Sequence, residues 1–129
     1  MTKKIVRNWQ ERADRDLESA RILIASAAPC EAAMQLLEQA LEKGLKGFLV
    51  SKGWKLKKIH DLEKLLDEAF KYGFKADQEQ SLELARELTA WYMENRYPPG
   101  DIPVVEKKEL NKKFEMVRSL NEKLKGSGS

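Results

Sequence analysis

Apolar positions recur every three or four residues along nearly the whole chain, which is the period of a helix packed on one side. In the first segment the stripe is Trp9, Ala13, Leu17, Ala20, Ile24 and Ala27, with acids and arginines between. Asn8, with Glu11 three residues later, reads as a capping box and sets the expected start of this helix at Asn8. The stretch "SAAPCE" ends it, and Pro29 suits the first turn of a second helix over residues 29–51. That helix carries a broader stripe: Ala33, Leu37, Ala40, Leu41, Gly44, Leu45, Phe48 and Leu49. Gly44 and Gly47 each cost about 1 kcal/mol against alanine inside a helix, and close approach by a neighbouring helix is the expected compensation. Gly53 supplies the stop.

A shorter third helix is marked by Ile59, Leu62, Leu65, Leu66, Ala69 and Phe70, and "KYGFKAD" stops it at Gly73. Asp77 and Gln80 cap a fourth, whose inward face is Leu84, Ala85, Leu88, Trp91 and Tyr92 and whose end is "YPPGDIP". The fifth has the stripe Leu110, Phe114, Val117, Leu120 or Asn121, and Leu124. Ile102 to Val105 is apolar and β-branched, but Pro103 argues against a strand there. Short links between amphipathic helices predict antiparallel neighbours, hence an all-α, up-and-down antiparallel bundle of four to five helices. A chain of 129 residues suits one such domain, here residues 1–125, with the tail 126–129 ("GSGS") read as a linker or cloning remnant.

Composition narrows the setting. Apolar runs such as Phe48-Leu49-Val50 fall far short of the roughly 20 residues needed to span a bilayer, so no membrane partner is expected. No signal-peptide-length apolar segment follows the first lysines, and a lone Cys30 fits a reducing, cytoplasmic setting. A net charge of +3 does not by itself demand a polyanionic partner, but its distribution is uneven. Residues 52–58 hold four lysines and no acid, followed by the only histidine, His60.

Most enzyme constellations are absent. No Gly-rich phosphate loop occurs, and one Cys with one His cannot supply ordinary zinc-ligand spacing, so no metal or cofactor is expected. Four candidates remain. In "SKGWKLKKIHD", Lys57 and Lys58 attract phosphate and Trp54 would stack on a base; the alternative is a solvated loop with Trp54 tucked against the bundle end. His60 would serve as a base near neutral pH, or else cap the next helix beside Asp61. Lys43 and Lys46 lie beside Gln39 and Glu42, where the default reading is a surface Glu42–Lys46 pair worth a few tenths of a kcal/mol. Arg96 and Tyr97 stand at the end of the fourth helix, where ordinary C-terminal chemistry competes with a functional role.

Taken in order, "DLESA" (from Asp16), "AAMQLLEQALEKGLKGFL" (from Ala32), "HDL" (from His60) and "RYP" (from Arg96) resemble the HEPN family, over about 100 residues. The resemblance implies a helical bundle, a homodimer, and pairing with a minimal nucleotidyltransferase, often as a toxin–antitoxin pair. Some members of that family are metal-independent ribonucleases that place a histidine after an arginine with four to six residues between them. This chain departs from that pattern, since Asp101, Ile102 and Pro103 stand in the corresponding positions after Arg96. If the ends of the second and fourth helices share one side, His60, the lysines from Lys55 to Lys58, Arg96 and Tyr97 converge there. The expected function is nucleotide or RNA binding, with Arg96, Lys57 and Lys58 on phosphate, Tyr97 or Trp54 on a base, and Lys43 and Lys46 in support. Two alternatives stand beside it. One is a metal-independent ribonuclease built on His60 and Arg96. The other is a non-catalytic interaction module whose second-helix glycines serve assembly.

Overall fold

The computed structural model describes residues 2–27, 30–94 and 105–128, with backbone alone at 94, 127 and 128. These form five helices: α1 (Thr2–Ala25), α2 (Ala32–Ser51), α3 (Leu62–Lys71), α4 (Gln78–Glu94) and α5 (Lys107–Gly128). α2 is the hub and packs against each of the other four. Its sequence accounts for this, because from Ala40 to Val50 every residue except Glu42, Lys43 and Lys46 is apolar or glycine. A helix whose apolar stripe is this broad belongs in the centre. Leu37, Ala40, Leu41, Leu45 and Leu49 are fully buried, and Phe48 nearly so.

The two glycines of α2 are where its neighbours come closest. A Cβ on Gly44 would lie 2.3 Å from Asn121 Oδ1, and one on Gly47 would lie 3.2 Å from Trp9 Cβ. Asn121 Nδ2 donates to Ala40 O at 3.0 Å, which locks α5 into that groove. Both glycines are therefore filled from within the chain. The alternative that they serve assembly finds no free surface at them.

α1 runs antiparallel to α2, with Lys43 on Asp16 near the middle and Gly47 on Trp9 further along. α5 is likewise antiparallel to α1: Lys107 Nζ donates to Ser26 O at its start, and Lys125 pairs with Asp14 towards its end. α1 begins six residues before Asn8, whose side chain accepts from Arg12 Nε at 2.7 Å instead of capping. Nothing in residues 3–7 breaks a helix, so the turn propagates to Thr2. At the other end of the chain, α5 carries its helical backbone through Gly126 to Gly128.

Two matching devices end α2 and α3. Gly53 takes φ +90° and Gly73 φ +96°, the left-handed conformation that glycine alone adopts freely. Trp54 N donates back to Leu49 O, and Phe74 N to Ala69 O, both at 3.0 Å. This is the Schellman arrangement, in which the residue after the glycine folds onto the helix. Trp54 and Phe74 are accordingly buried.

Candidate functional site

Beyond Trp54 the chain has no regular structure until Leu62, and it returns along α2 far enough for His60 to meet Glu42. Asp61 then caps α3 by accepting from Glu63 N and Lys64 N, so the capping role falls to Asp61 alone. His60 turns the other way. Its Nδ1 lies 2.9 Å from Glu42 Oε2, and the same oxygen accepts from Lys46 Nζ at 3.0 Å.

The Glu42–Lys46 pair thus exists, but not on the surface as the sequence suggested. Both side chains are buried, at 6% and 4% exposure. The central position of α2 removes them from water, and each neutralises the other there. Lys46 Nζ also stands 5.5 Å from the centre of the Trp9 ring, so its charge meets a carboxylate and an aromatic face together. One turn earlier, Glu38 is partly buried, with Oε2 lacking a hydrogen-bond partner. Burial first, and the negative charge of Glu42 second, hold its carboxyl above the usual carboxylate range.

His60 is the exposed tip of this cluster, with 73% of its side chain accessible. A carboxylate at Nδ1 fixes the proton of the neutral ring on that nitrogen and leaves Nε2 as the outward acceptor. In the loop just before it, Lys55, Lys57 and Lys58 are exposed, and none of them forms an ion pair among the described residues. Lys57 Nζ lies 5.9 Å from the Trp54 ring centre.

The remaining candidates separate from this face. Trp54, expected as a stacking platform, is 95% buried as the anchor of the α2 terminus and has no open ring face to offer a base. Lys43 is engaged by Asp16 at 2.7 Å and Lys46 by Glu42, so neither ammonium is free to meet phosphate. Arg96 and Tyr97 lie outside the described residues. The helix leading to them ends beside the start of α2, since Ala90 and Trp91 share a cleft with Met34 and Val105. The ends of α2 and α4 therefore do not share one side, contrary to the simple alternation assumed from the sequence.

The sequence paired Glu42 with Lys46, but it did not show that Glu42 also holds His60 or that Trp9 lies against Lys46. The signal for Glu42 was present: it is an acid set in the most apolar stretch of the most apolar helix. Trp9 was legible only as a core residue.

A family model, the HEPN domain, matches residues 6–126. The chain belongs to the HEPN family. The crystal structure of an archaeal HEPN homologue superposes with a TM-score of 0.74 over 96% of this chain and 98% of that one, at 23% identity. That likeness shows the all-α HEPN bundle. Comparison with curated proteins gives no match. Family membership supports a nucleotide- or RNA-related module. Among the described residues, no helix is long and apolar enough to cross a membrane.

Proposed function

We propose that this HEPN domain binds a nucleotide or an RNA strand at the face formed by Lys55, Lys57, Lys58 and His60. One observation carries the reading. Three exposed lysines, none with a carboxylate partner among the described residues, stand within five residues before a histidine whose orientation is fixed by a buried glutamate. Free ammonium groups release counterions when they meet phosphate, and a fixed imidazole adds a directional contact to a phosphate or ribose oxygen. Arg96 and Tyr97 belong to the proposal as a phosphate contact and a base contact apart from this face, since α4 ends beside the start of α2. Lys43 and Lys46 act indirectly, by holding Asp16 and Glu42.

The test is calorimetric titration with ATP and with a short single-stranded RNA at two salt concentrations. Lys57→Gln/Lys58→Gln should weaken RNA binding on the order of tenfold at low salt. It should also make the slope of log K against log salt shallower by about 1.4, the share of two single-strand phosphate contacts. Arg96→Ala should weaken both ligands. Salt-insensitive binding, or wild-type affinity in the lysine variant, overturns the proposal.

The finer features belong to the same proposal: a cytoplasmic homodimer that pairs with a minimal nucleotidyltransferase in a toxin–antitoxin-type unit. Light scattering of the purified chain should give twice the mass of one chain, and a monomer at micromolar concentration would sink the dimer. The Glu42–His60 geometry favours a second reading, a metal-independent ribonuclease. In it, His60 Nε2 takes the proton of a ribose 2′-hydroxyl, whose oxygen attacks the adjacent phosphorus as the 5′-oxygen leaves with a proton from water. Because α4 ends away from this face, Arg96 of the partner subunit in a dimer steadies the phosphate. Cleavage that survives chelator and disappears in His60→Ala supports it. Cleavage that persists in His60→Ala removes it.

A further inference from the structure

A second cationic site lies on the other flank of α1. Lys3, Val6, Arg7 and Gln10 of α1, Ser51 at the end of α2, and Lys125 near the end of α5 line a cleft of about 510 Å³. Three helices build it, and its charged lining is entirely basic. The clefts along α4 and α5 differ, since carboxylates line each of them: Glu115 in one, Glu83 in another, and Glu87 and Glu109 in more than one. The basic residues here are also badly placed for the helix itself. The first turn of α1 holds no acid and carries Lys3 and Lys4, where the positive end of the helix dipole repels them. Among the described residues, Lys125 is the only one of the three lining cations with a carboxylate partner, Asp14 at 2.7 Å; that pair is open to water, unlike the half-buried Lys43–Asp16 pair, and Asp14 does not line the cleft.

We infer that this cleft binds a run of phosphates, with Lys3, Arg7 and Lys125 as its cations and Gln10 as a neutral donor. The arginine fork meets two oxygens of one phosphate, and the lysines act as point charges on its neighbours. Bound phosphate also relieves the repulsion between Lys3, Lys4 and the helix end. The lining has no aromatic ring, so recognition stops at the phosphates and does not reach a base. The site is independent of the lysines before His60, because it opens between α1 and α5 and shares no residue with them. The same chemistry is offered by a free polyphosphate and by the backbone of a nucleic-acid strand.

Titration with sodium tripolyphosphate and, separately, with a twelve-nucleotide oligouridylate tests the inference. In a background that already carries Lys57→Gln/Lys58→Gln, Lys3→Gln/Arg7→Gln should weaken tripolyphosphate by about a further fivefold. Lys125→Gln should weaken it in the same direction, and Arg7→Lys should restore part of the loss, which guards against an effect of altered folding. A parallel loss of oligouridylate affinity in Lys3→Gln/Arg7→Gln places the cleft on the path of a strand. Unchanged oligouridylate affinity with lost tripolyphosphate marks a site for free polyphosphate. Tripolyphosphate binding that Lys3→Gln/Arg7→Gln leaves unchanged in that background overturns the site, and loss confined to the Lys57→Gln/Lys58→Gln variant does so equally.

Discussion

Glu42 holds His60 through the same oxygen that neutralises Lys46, at 2.9 Å and 3.0 Å. A single buried carboxylate therefore orients the exposed ring and keeps an ammonium in the core. Removing its charge separates the two roles. Glu42→Gln still offers an oxygen to His60, but it leaves Lys46 buried without a counter-ion, at an expected cost of about 3–5 kcal/mol. Adding Lys46→Met should recover most of that loss, because the lysine stem is already packed and the uncompensated charge is gone. Urea unfolding at constant m measures both, and a Glu42→Gln loss below about 1 kcal/mol would show that Lys46 reaches water after all.

Gly44 makes the opposite kind of prediction, from space alone. Gly44→Ala gains helix propensity of about 1 kcal/mol, yet its methyl meets Asn121 Oδ1 and Cγ at 2.3 and 2.8 Å. Asn121 is buried and tied to Ala40 O, so it cannot swing aside without losing that bond. Gly44→Ala should therefore destabilise by about 1–3 kcal/mol, and Gly44→Leu by more. In the Asn121→Ala background the same Gly44→Ala change should be near neutral or stabilising. Strict additivity in that double-mutant cycle would mean the clash is relieved elsewhere.

The fold was legible in the sequence because its signals are local. The 3.6-residue period, Asp77 accepting from Gln80 N, and the glycine stops at Gly53 and Gly73 each act within a few residues. The site was less so. Its central contact joins residues 18 apart in sequence through a loop that folds back along α2, and no period encodes that return. Trp54 stood between two readings, a stacking platform and an anchor tucked against the bundle end, and its burial decides for the anchor. "KGW" and "YGF" are the same glycine–aromatic stop, and the second shows what the first does: the aromatic side chain after the glycine is spent on sealing the helix end. The burial of Glu42 and Lys46 follows from the position of α2 among its four neighbours, which a helix read alone does not reveal.

Asp61 carries the junction between the site and α3. Its Oδ1 accepts from Glu63 N at 3.0 Å and from Lys64 N at 3.3 Å, which fixes where the helix begins and hence where His60 stands. Asp61→Ala should cost about 1 kcal/mol, the usual loss of an N-cap. Asp61→Ser should retain most of it. Equal stability of the wild type and Asp61→Ala would mean that the His60–Glu42 contact alone sets the start of α3. Amide exchange at Glu63 and Lys64 reads the same effect locally and should accelerate in the alanine variant only.

Glu38 gives the pH dependence its sign. Its carboxyl is held above the ordinary range in the folded chain, by burial first and by Glu42 second. The folded state therefore binds the proton more tightly than the unfolded chain. Stability from this group is fully present below the unfolded carboxylate range and is lost as pH rises through the raised folded value. The ionised form pays for desolvation next to Glu42, with Oε2 unpartnered. Glu38→Gln removes that penalty without changing shape. It should raise the melting temperature at pH 8 and change it less at pH 4, since the raised carboxyl holds its proton more as pH falls. The difference between the two melting curves across pH 4–8 isolates this carboxyl from the others. A Glu38→Gln variant that is less stable than the wild type at pH 8 would show that the ionised carboxylate has a partner that stabilises it.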